Sequence, residues 1–318
     1  VHPLDAGTRA AGMSGFPYSD DNKRYYTYAY FLKHRKGGRV VRVPLDGGFT
    51  CPNRDGKLGI GGCAFCSGRG SGDQIAALPS LEEQYRAGIE KVQGKWKDAR
   101  YQPYFQAFSG TYAPIETLRE QYDRALALPD AAGLVIGTRA DCIDERTADL
   151  LEEYAEKTDL TVELGLQTVH DRTLQAMNRC ETFDQFCKGY ERLKKRGICT
   201  WVHLINGLPG ESLDDMRESA HVLGHMYPDG VKIHALHVLK GTRLAQMDFP
   251  LLTREEYVAV TCDQLERLPM TTVIGRLTGD GPAQDVLGPE WTKRKRDVLN
   301  AIDQELARRD SWQGKKFD

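Results

Sequence analysis

Six times in succession a short β-branched, apolar run is followed by a stretch with helical periodicity, and this alternation most narrows the folds open to the chain. The strand candidates are Val40–Leu45, Tyr104–Phe108, Leu134–Thr138, Thr161–Leu166, Thr200–Ile205 and Val231–Val238. Ser80 with Glu83, Thr182 with Gln185 and Thr253 with Glu256 read as capping boxes, which start helices by satisfying free N–H groups of the first turn. In the first of these helices Leu81, Tyr85, Ile89, Val92 and Trp96 recur every three or four residues, making one apolar stripe to lay against a sheet. Six such units predict an α/β fold with a parallel sheet, either doubly wound or curled into a barrel.

A further strand (Thr272–Leu277) and a basic helix (Trp291–Arg308) follow the sixth unit. No Pro/Ser linker divides the chain. We therefore expect a poorly ordered N-terminus over 1–21, a core domain over 22–250 and a C-terminal extension over 251–318. A 40% hydrophobic share suffices for a sizeable core, and a net charge of −2 announces no global nucleic-acid binder, although local basic patches remain open. No run of 18 apolar residues suggests a membrane span, and no apolar segment near the start reads as a secretory signal, so a cytoplasmic protein is expected. Eight cysteines in a chain this long do not suggest a disulfide scaffold; closely spaced thiols in a reducing compartment point to metal or redox chemistry.

Those thiols lie in the loop after the first strand. Cys51, Cys63 and Cys66 are spaced C-x11-C-x2-C, with seven glycines between Gly56 and Gly72. Glycine lets backbone approach an object closely, which suits thiolates wrapped round an inorganic cluster whose sulfides accept N–H bonds. A structural zinc ion takes four protein ligands, whereas three cysteines on a four-iron cube leave one iron open. On the loop alone a zinc knuckle with His34 or Cys142 as fourth ligand stays open beside the cluster. In parallel β/α folds the loops after the strands gather at the ligand-binding face, and this loop is one of them. Phe65, between the last two cysteines, is placed to shield a cluster from water.

Seven segments taken in order resemble the radical SAM superfamily, and more narrowly a bacterial family related to the radical SAM part of the Elongator catalytic subunit. They begin at Arg24 (Arg-Tyr-Tyr), Pro44 (Pro-Leu-Asp-Gly-Gly-Phe-Thr-Cys-Pro-Asn-Arg-Asp-Gly), Gly133 (Gly-Leu-Val-Ile-Gly-Thr-Arg), Val162 (Val-Glu-Leu-Gly-Leu-Gln-Thr), His203 (His-Leu-Ile-Asn-Gly-Leu-Pro-Gly-Glu), Lys232 (Lys-Ile-His-Ala-Leu-His-Val-Leu-Lys-Gly-Thr) and Arg276 (Arg-Leu-Thr-Gly-Asp-Gly-Pro). The resemblance implies a partial (β/α)6 TIM-like barrel, a [4Fe–4S] cluster on Cys51, Cys63 and Cys66, and S-adenosylmethionine (SAM) as cofactor. It implies cofactor contacts from Ser109, Gly110 and Thr111, where relatives tend to carry Thr-Asn at the first two positions. It further implies contacts from Glu163 and Gln167, which are four apart on one strand and so share a face, and close backbone approach at Gly207 and Gly210. A carboxylate paired with a basic residue is the structural alternative for Glu163, and plain turn chemistry for the two glycines. The implied reaction is on the side chain of tRNA wobble uridine, trimming carboxymethylaminomethyl towards aminomethyl, with a reducing partner of flavodoxin or ferredoxin type. Acetyl transfer is not expected. A small metabolite or peptide substrate, and a zinc-binding RNA adaptor without catalysis, are the competing functions.

Arg276 and Asp280 lie in a polar Gly-rich stretch able to close over a substrate, and are the candidate catalytic residues. His203, His234 and His237 lie on expected strands. Residues 234 and 237 are an odd number apart, so at most one is expected to face the interior unless a bulge intervenes. Cys142, Cys180, Cys187, Cys199 and Cys262 fit no compact ligand loop and are expected to pack as small hydrophobes; Cys180 stands where relatives usually have glycine. Trp291-Thr-Lys293-Arg294-Lys295-Arg296, with Lys33–Lys36 and Lys194–Arg196 as candidate extensions, reads either as a solvated face or as a phosphate track for RNA.

Overall fold

The computed structural model describes residues 15–95, 98–279, 281 and 283–318. Helix α1 (Tyr28–Arg35) precedes β1 (Val40–Leu45), α2 (Leu81–Gln93), β2 (Arg100–Phe105), α3 (Ile115–Leu126), β3 (Leu134–Thr138), α4 (Glu145–Lys157) and β4 (Leu160–Gln167). There follow α5 (Asp171–Ala176), α6 (Phe183–Lys195), β5 (Cys199–Asn206), α7 (Leu213–His225), β6 (Gly230–Ala235), β7 (Val238–Leu239), α8 (Arg254–Arg267), β8 (Val273–Arg276), β9 (Val286–Gly288) and α9 (Lys295–Arg308). Strands β1 to β6 and then β8 pair side by side in one seven-stranded sheet, every ladder parallel. The sheet is a partial barrel. Sequential strands become neighbours because each crossover helix returns the chain to the edge just laid down.

Helix starts follow their caps. Thr182 with Gln185 and Thr253 with Glu256 form complete capping boxes, as does Ser212 with Asp215. Ser80 accepts from the Glu83 amide, while the Glu83 carboxylate takes the Ser80 hydroxyl at 2.9 Å. Leu81 and Tyr85 of the α2 stripe are buried and Ile89 packs on the core; Trp96 lies outside the described residues. On β4 every residue but the last is buried, as expected of a parallel strand covered on both faces.

Among the boundaries that differ from the sequence reading, three bear on the site. Strand β2 ends at Phe105, so Gln106–Phe108 belong to the loop, and Phe108 takes φ +60°. The run Val231–Val238 breaks after Ala235. Val238 and Leu239 instead pair antiparallel with β9, which leaves Leu236 and His237 as a bend. The basic helix starts at Lys295, because Arg294 (φ −101°, ψ 60°) is not helical and Trp291 sits in a 3-10 turn over Glu290–Lys293.

Of the segment 1–21 expected to be poorly ordered, residues 1–14 lie outside the described residues, and the rest is packed. Phe16 and Ser19 are buried, and Tyr18 stacks on Tyr26 with ring centroids 4.7 Å apart. Beside them the Trp201 indole plugs the barrel floor. It seats against Gly230 and Gly275, where an added Cβ would meet ring atoms at 2.3 Å. The 251–318 segment continues the same architecture, since β8 pairs with β6 and α8 packs on both α7 and α9. Among the described residues no helix is long and apolar enough to cross a membrane.

Candidate active site at the barrel mouth

The loop between β1 and α2 carries Cys51, Cys63 and Cys66 to the wall of a cavity of about 200 Å³ at the carboxyl end of the sheet. Its turns are held by backbone bonds within the loop (Arg54 N to Cys51 O, 2.8 Å; Cys66 N to Cys63 O, 3.1 Å) and beyond it (Ala64 N to Met177 O, 2.8 Å). The Cys63 thiol is held well below its usual pKa, first by the hydrogen bond from Cys66 and then by the Arg179 and Arg139 guanidiniums, against the opposing effect of burial. Arg179 Nη1 donates to Cys63 Sγ at 3.9 Å, and Asn53 Nδ2 donates to the same sulfur at 3.6 Å. The proton on Cys66 is retained by the same pairing and by burial.

Sequence reasoning passed over Arg139 and Arg179. Arg139 donates to both Asp141 oxygens (2.8 and 2.6 Å) and to the Arg179 carbonyl (2.9 Å), and Arg179 Nε donates to Glu181 Oε2 (2.9 Å). All four side chains are essentially buried, and both arginines line the cavity. Their signal was faint: Arg139 closes the Gly-Thr-Arg segment, and nothing local marks Arg179.

Three polar atoms of the cavity wall are buried and have no hydrogen-bond partner among the described residues: Ser109 Oγ, Gln167 Oε1 and His234 Nε2. Buried polar groups are almost always satisfied, so these atoms await a ligand rather than belong to a finished core. Gln167 also holds a positive φ of +76°, a strain tolerated where function needs the side chain aimed. Three thiolates beside such a wall fit a cluster with an open iron and a polar cofactor upon it. Neither His34 nor Cys142, the residues offered as a fourth zinc ligand, lines this cavity. His34 pairs with Asp20 at 2.8 Å on exposed α1, and Cys142 lines a neighbouring cleft.

Deeper in the barrel, Glu163 is completely buried with four protein partners. Tyr104 Oη (2.7 Å), Lys232 Nζ (2.6 Å) and His203 Nε2 (3.0 Å) meet one carboxylate oxygen, and Arg42 pairs with the other. Burial would raise its pKa, but Arg42, Lys232 and His203 together hold it well below the usual range. Burial drives Lys232 the other way, down to about 7, with Arg42 and Arg276 adding repulsion against the attraction of Glu163. Arg42 lies over the rings of Tyr28 and Trp201 at 5.0 and 4.5 Å.

Phe65, Ser109, Gln167 and Arg276 thus meet the three cysteines at one cavity. Other expected residues stand differently. Glu163 lines the same cavity, but both its oxygens are committed to protein donors, which is the paired-carboxylate alternative. Gly110 packs against Ile136 and Gly137, its carbonyl accepting from Tyr122 at 2.7 Å. Thr111 Oγ1 is bound to Thr138 (2.7 Å) and faces the neighbouring cleft. Gly207 and Gly210 line neither this cavity nor the one beyond it; their φ values of +94° and +81° mark a turn. Asp280 lies outside the described residues. His234 and His237 both line a second, outer chamber that adjoins the cysteine cavity through Phe65, since the break after β6 frees His237 from strand alternation. Cys180 has φ +51°, a conformation that favours glycine at its position. Of the basic run, Lys293, Arg294 and Arg296 are exposed, whereas Lys295 is half-buried beside Arg276.

A parallel partial barrel with a three-cysteine loop over its mouth defines the class, and the chain belongs to the radical SAM superfamily, matched over residues 51–223, with the Radical_SAM C-terminal domain matched over 228–308. It is 46% identical over 307 residues to the uncharacterized protein YtqA of Bacillus subtilis, covering 95% of each chain. A tRNA uridine(34) acetyltransferase of Methanocaldococcus jannaschii is 27% identical over 201 residues, covering 59% of this chain and 36% of that one. Among solved structures, the archaeal Methanocaldococcus infernus Elp3 with an N-terminal deletion superposes with a TM-score of 0.60 at 20% identity, covering 84% of this chain and 63% of that chain.

Proposed function

We propose that this chain is a radical SAM enzyme acting on the side chain of tRNA wobble uridine, trimming carboxymethylaminomethyl to aminomethyl, with SAM as the net two-electron oxidant and water completing release of the two-carbon fragment as glyoxylate. Cys51, Cys63 and Cys66 would hold a [4Fe–4S] cluster, and Ser109 and Gln167 would hydrogen-bond SAM. When bound, the pair supplies hydrogen-atom abstraction by a carbon radical; a flavodoxin or ferredoxin type of reductant is the partner such chemistry requires. The chain's own residues orient and exclude. Phe65 stands between the cysteine cavity and an outer chamber of about 220 Å³, keeping water from the reacting groups. His203, His234, His237 and Arg276 wall that chamber.

The chamber carries this reading. It shares Phe65, Gln167 and Arg276 with the cysteine cavity yet contains no cysteine, so it is the space left for a substrate. A base splayed from a single-stranded loop is the form in which RNA is usually read by sequence. The similarity to a tRNA uridine(34) acetyltransferase and the exposed Lys293, Arg294 and Arg296 support the choice of RNA. Anaerobic incubation of cluster-loaded protein with SAM, reductant and tRNA, followed by nucleoside mass spectrometry, tests it. Carboxymethylaminomethyluridine should fall as aminomethyluridine rises. Unchanged tRNA, with SAM cleavage stimulated by a small metabolite instead, would overturn the reading.

Two variants probe its parts. Gln167→Ala is expected to weaken SAM binding about three- to tenfold, one neutral hydrogen bond, at unchanged iron content. Reversing Lys293, Arg294 and Arg296 to Glu should weaken tRNA binding and flatten its salt dependence, because fewer counterions are released, while SAM cleavage without substrate persists. Equal tRNA affinity at low and moderate salt would remove this run from the interface.

A further inference from the structure

Away from the cysteine loop, the C-terminal end of α7 carries His221 and His225, four apart and therefore on one face of the helix. Helix α7 leads into β6 at Gly230, so this end lies at the amino end of the sheet, opposite the barrel mouth. The segment 313–318 is fastened across it. Gly314 N donates to Leu265 O (3.1 Å) and Lys316 N to Glu266 O (2.8 Å). The Phe317 ring seats on Gly224 and beside His225, with ring centroids 5.2 Å apart. Asp318 is thereby brought to the two imidazoles. Its Oδ1 stands 3.9 Å from His221 Nδ1, and one ligand atom from each of the three exposed residues lies within 4.8 Å of the others. The His221 carbonyl, 2.9 Å from His225 Nδ1, can only accept, so Nδ1 carries a proton and Nε2 is the ligand atom. That Nε2 meets a second acceptor, the main-chain oxygen of Asp318 at 2.9 Å, a contact made favourable by a proton or a metal ion at Nε2.

We propose that His221, His225 and Asp318 form a second metal site, for zinc or a divalent transition metal of the same ligand preference, with water as the fourth ligand. Two imidazoles and a carboxylate are a donor set that suits zinc. On a tetrahedral ion at about 2.0–2.1 Å such donors stand roughly 3.3 Å apart, so side-chain movements of about an ångström close the site. His170 with Asp215 and Glu218 is a comparable group, but Asp215 already caps α7 and pairs with Arg172 at 2.7 Å. The bound ion ties the segment 313–318 to α7, and it stabilises the fold because the three ligands meet only in the folded chain. It is independent of the cysteine loop and of the wobble-uridine reading.

The test is equilibrium dialysis of anaerobically purified, cluster-loaded protein against zinc, followed by elemental analysis of zinc and iron. Wild type should hold one zinc per chain that the double variant His221→Ala with His225→Ala does not hold, at equal iron content. Each single variant should weaken zinc binding about tenfold or more. In chelator the variants should melt with the wild type, since the exchanged side chains are exposed, and added zinc should raise the Tm of wild type alone. Cobalt(II) in the same site should show ligand-field absorption without a thiolate charge-transfer band. Cys63→Ala separates the two metal sites: it should lose iron and keep the zinc. Wild type that takes up no zinc, or a double variant that binds it as tightly as wild type, overturns the proposal. A thiolate band on cobalt, or zinc lost together with iron in Cys63→Ala, would assign the ion to the cysteine loop and overturn it equally.

Discussion

Cys63→Ala is expected to reduce bound iron and SAM cleavage to background, whereas Cys187→Ala leaves both at wild-type level. The contrast follows from position. Cys63 is buried in the cysteine loop, with Asn53 and Arg179 directed at its sulfur, while Cys187 is half-buried on α6, away from the cavity. Without Cys63, a cluster would be held by Cys51 and Cys66 alone, leaving a second iron open to solvent and the site too weak to keep it. Circular dichroism should show both variants folded, because residues that share the core with neither loop nor cavity are untouched. Iron and sulfide analysis of anaerobically purified protein is the measurement. A full cluster with active SAM cleavage in Cys63→Ala would refute the ligand assignment.

Glu163→Gln should be the most destabilising single exchange in the barrel. It removes the counter-charge of Arg42 and Lys232 while leaving both buried. Breaking a buried pair from one side costs about 3–5 kcal/mol. At an unfolding entropy of about 2.1 cal/mol/K per residue over 318 residues, that lowers Tm by about 4–8 °C. Adding Lys232→Met should restore part of the loss, since the second change removes a stranded charge. The effect also has a pH signature. The folded pKa of Glu163 lies below its ordinary 4.5, so its contribution is fully present above that value and is lost as pH falls through the lower folded one. The Tm gap between wild type and Glu163→Gln should accordingly close as pH falls below about 4.5, and should also narrow as pH rises towards about 7, where Lys232 gives up its proton. A gap that widens in acid, or a double variant less stable than Glu163→Gln, would contradict the buried-cluster account.

Much of this was legible in the residues. The β-α alternation gave the parallel sheet, capping residues gave helix starts, and three cysteines among glycines marked the mouth before any coordinates. Local spacing sufficed because each of these is a short-range device: a cap acts over three residues and a ligand loop over sixteen. The differences are instructive for the same reason. Gly207 and Gly210, expected near the cofactor, line neither chamber, and a positive φ serves a close backbone approach and a plain turn alike. Val231–Val238 looked like one strand because β-propensity continues across Leu236 and His237, and only pairing with β9 breaks it.

The sequence by itself determined which residues alternate. On β6, Gly230, Lys232 and His234 occupy one face and Val231, Ile233 and Ala235 the other. What it left undetermined is which face is inside, since on an isolated strand the polar face would turn to water. Tertiary structure reversed that expectation. The helices cover the apolar outer face of the sheet, so Lys232 and His234 are driven into the barrel beside Glu163, Arg42 and Arg276 from three other strands. Charges that the sequence scatters across more than 230 positions, from Arg42 to Arg276, act on one another only because closure of the sheet excludes the water that would otherwise screen them.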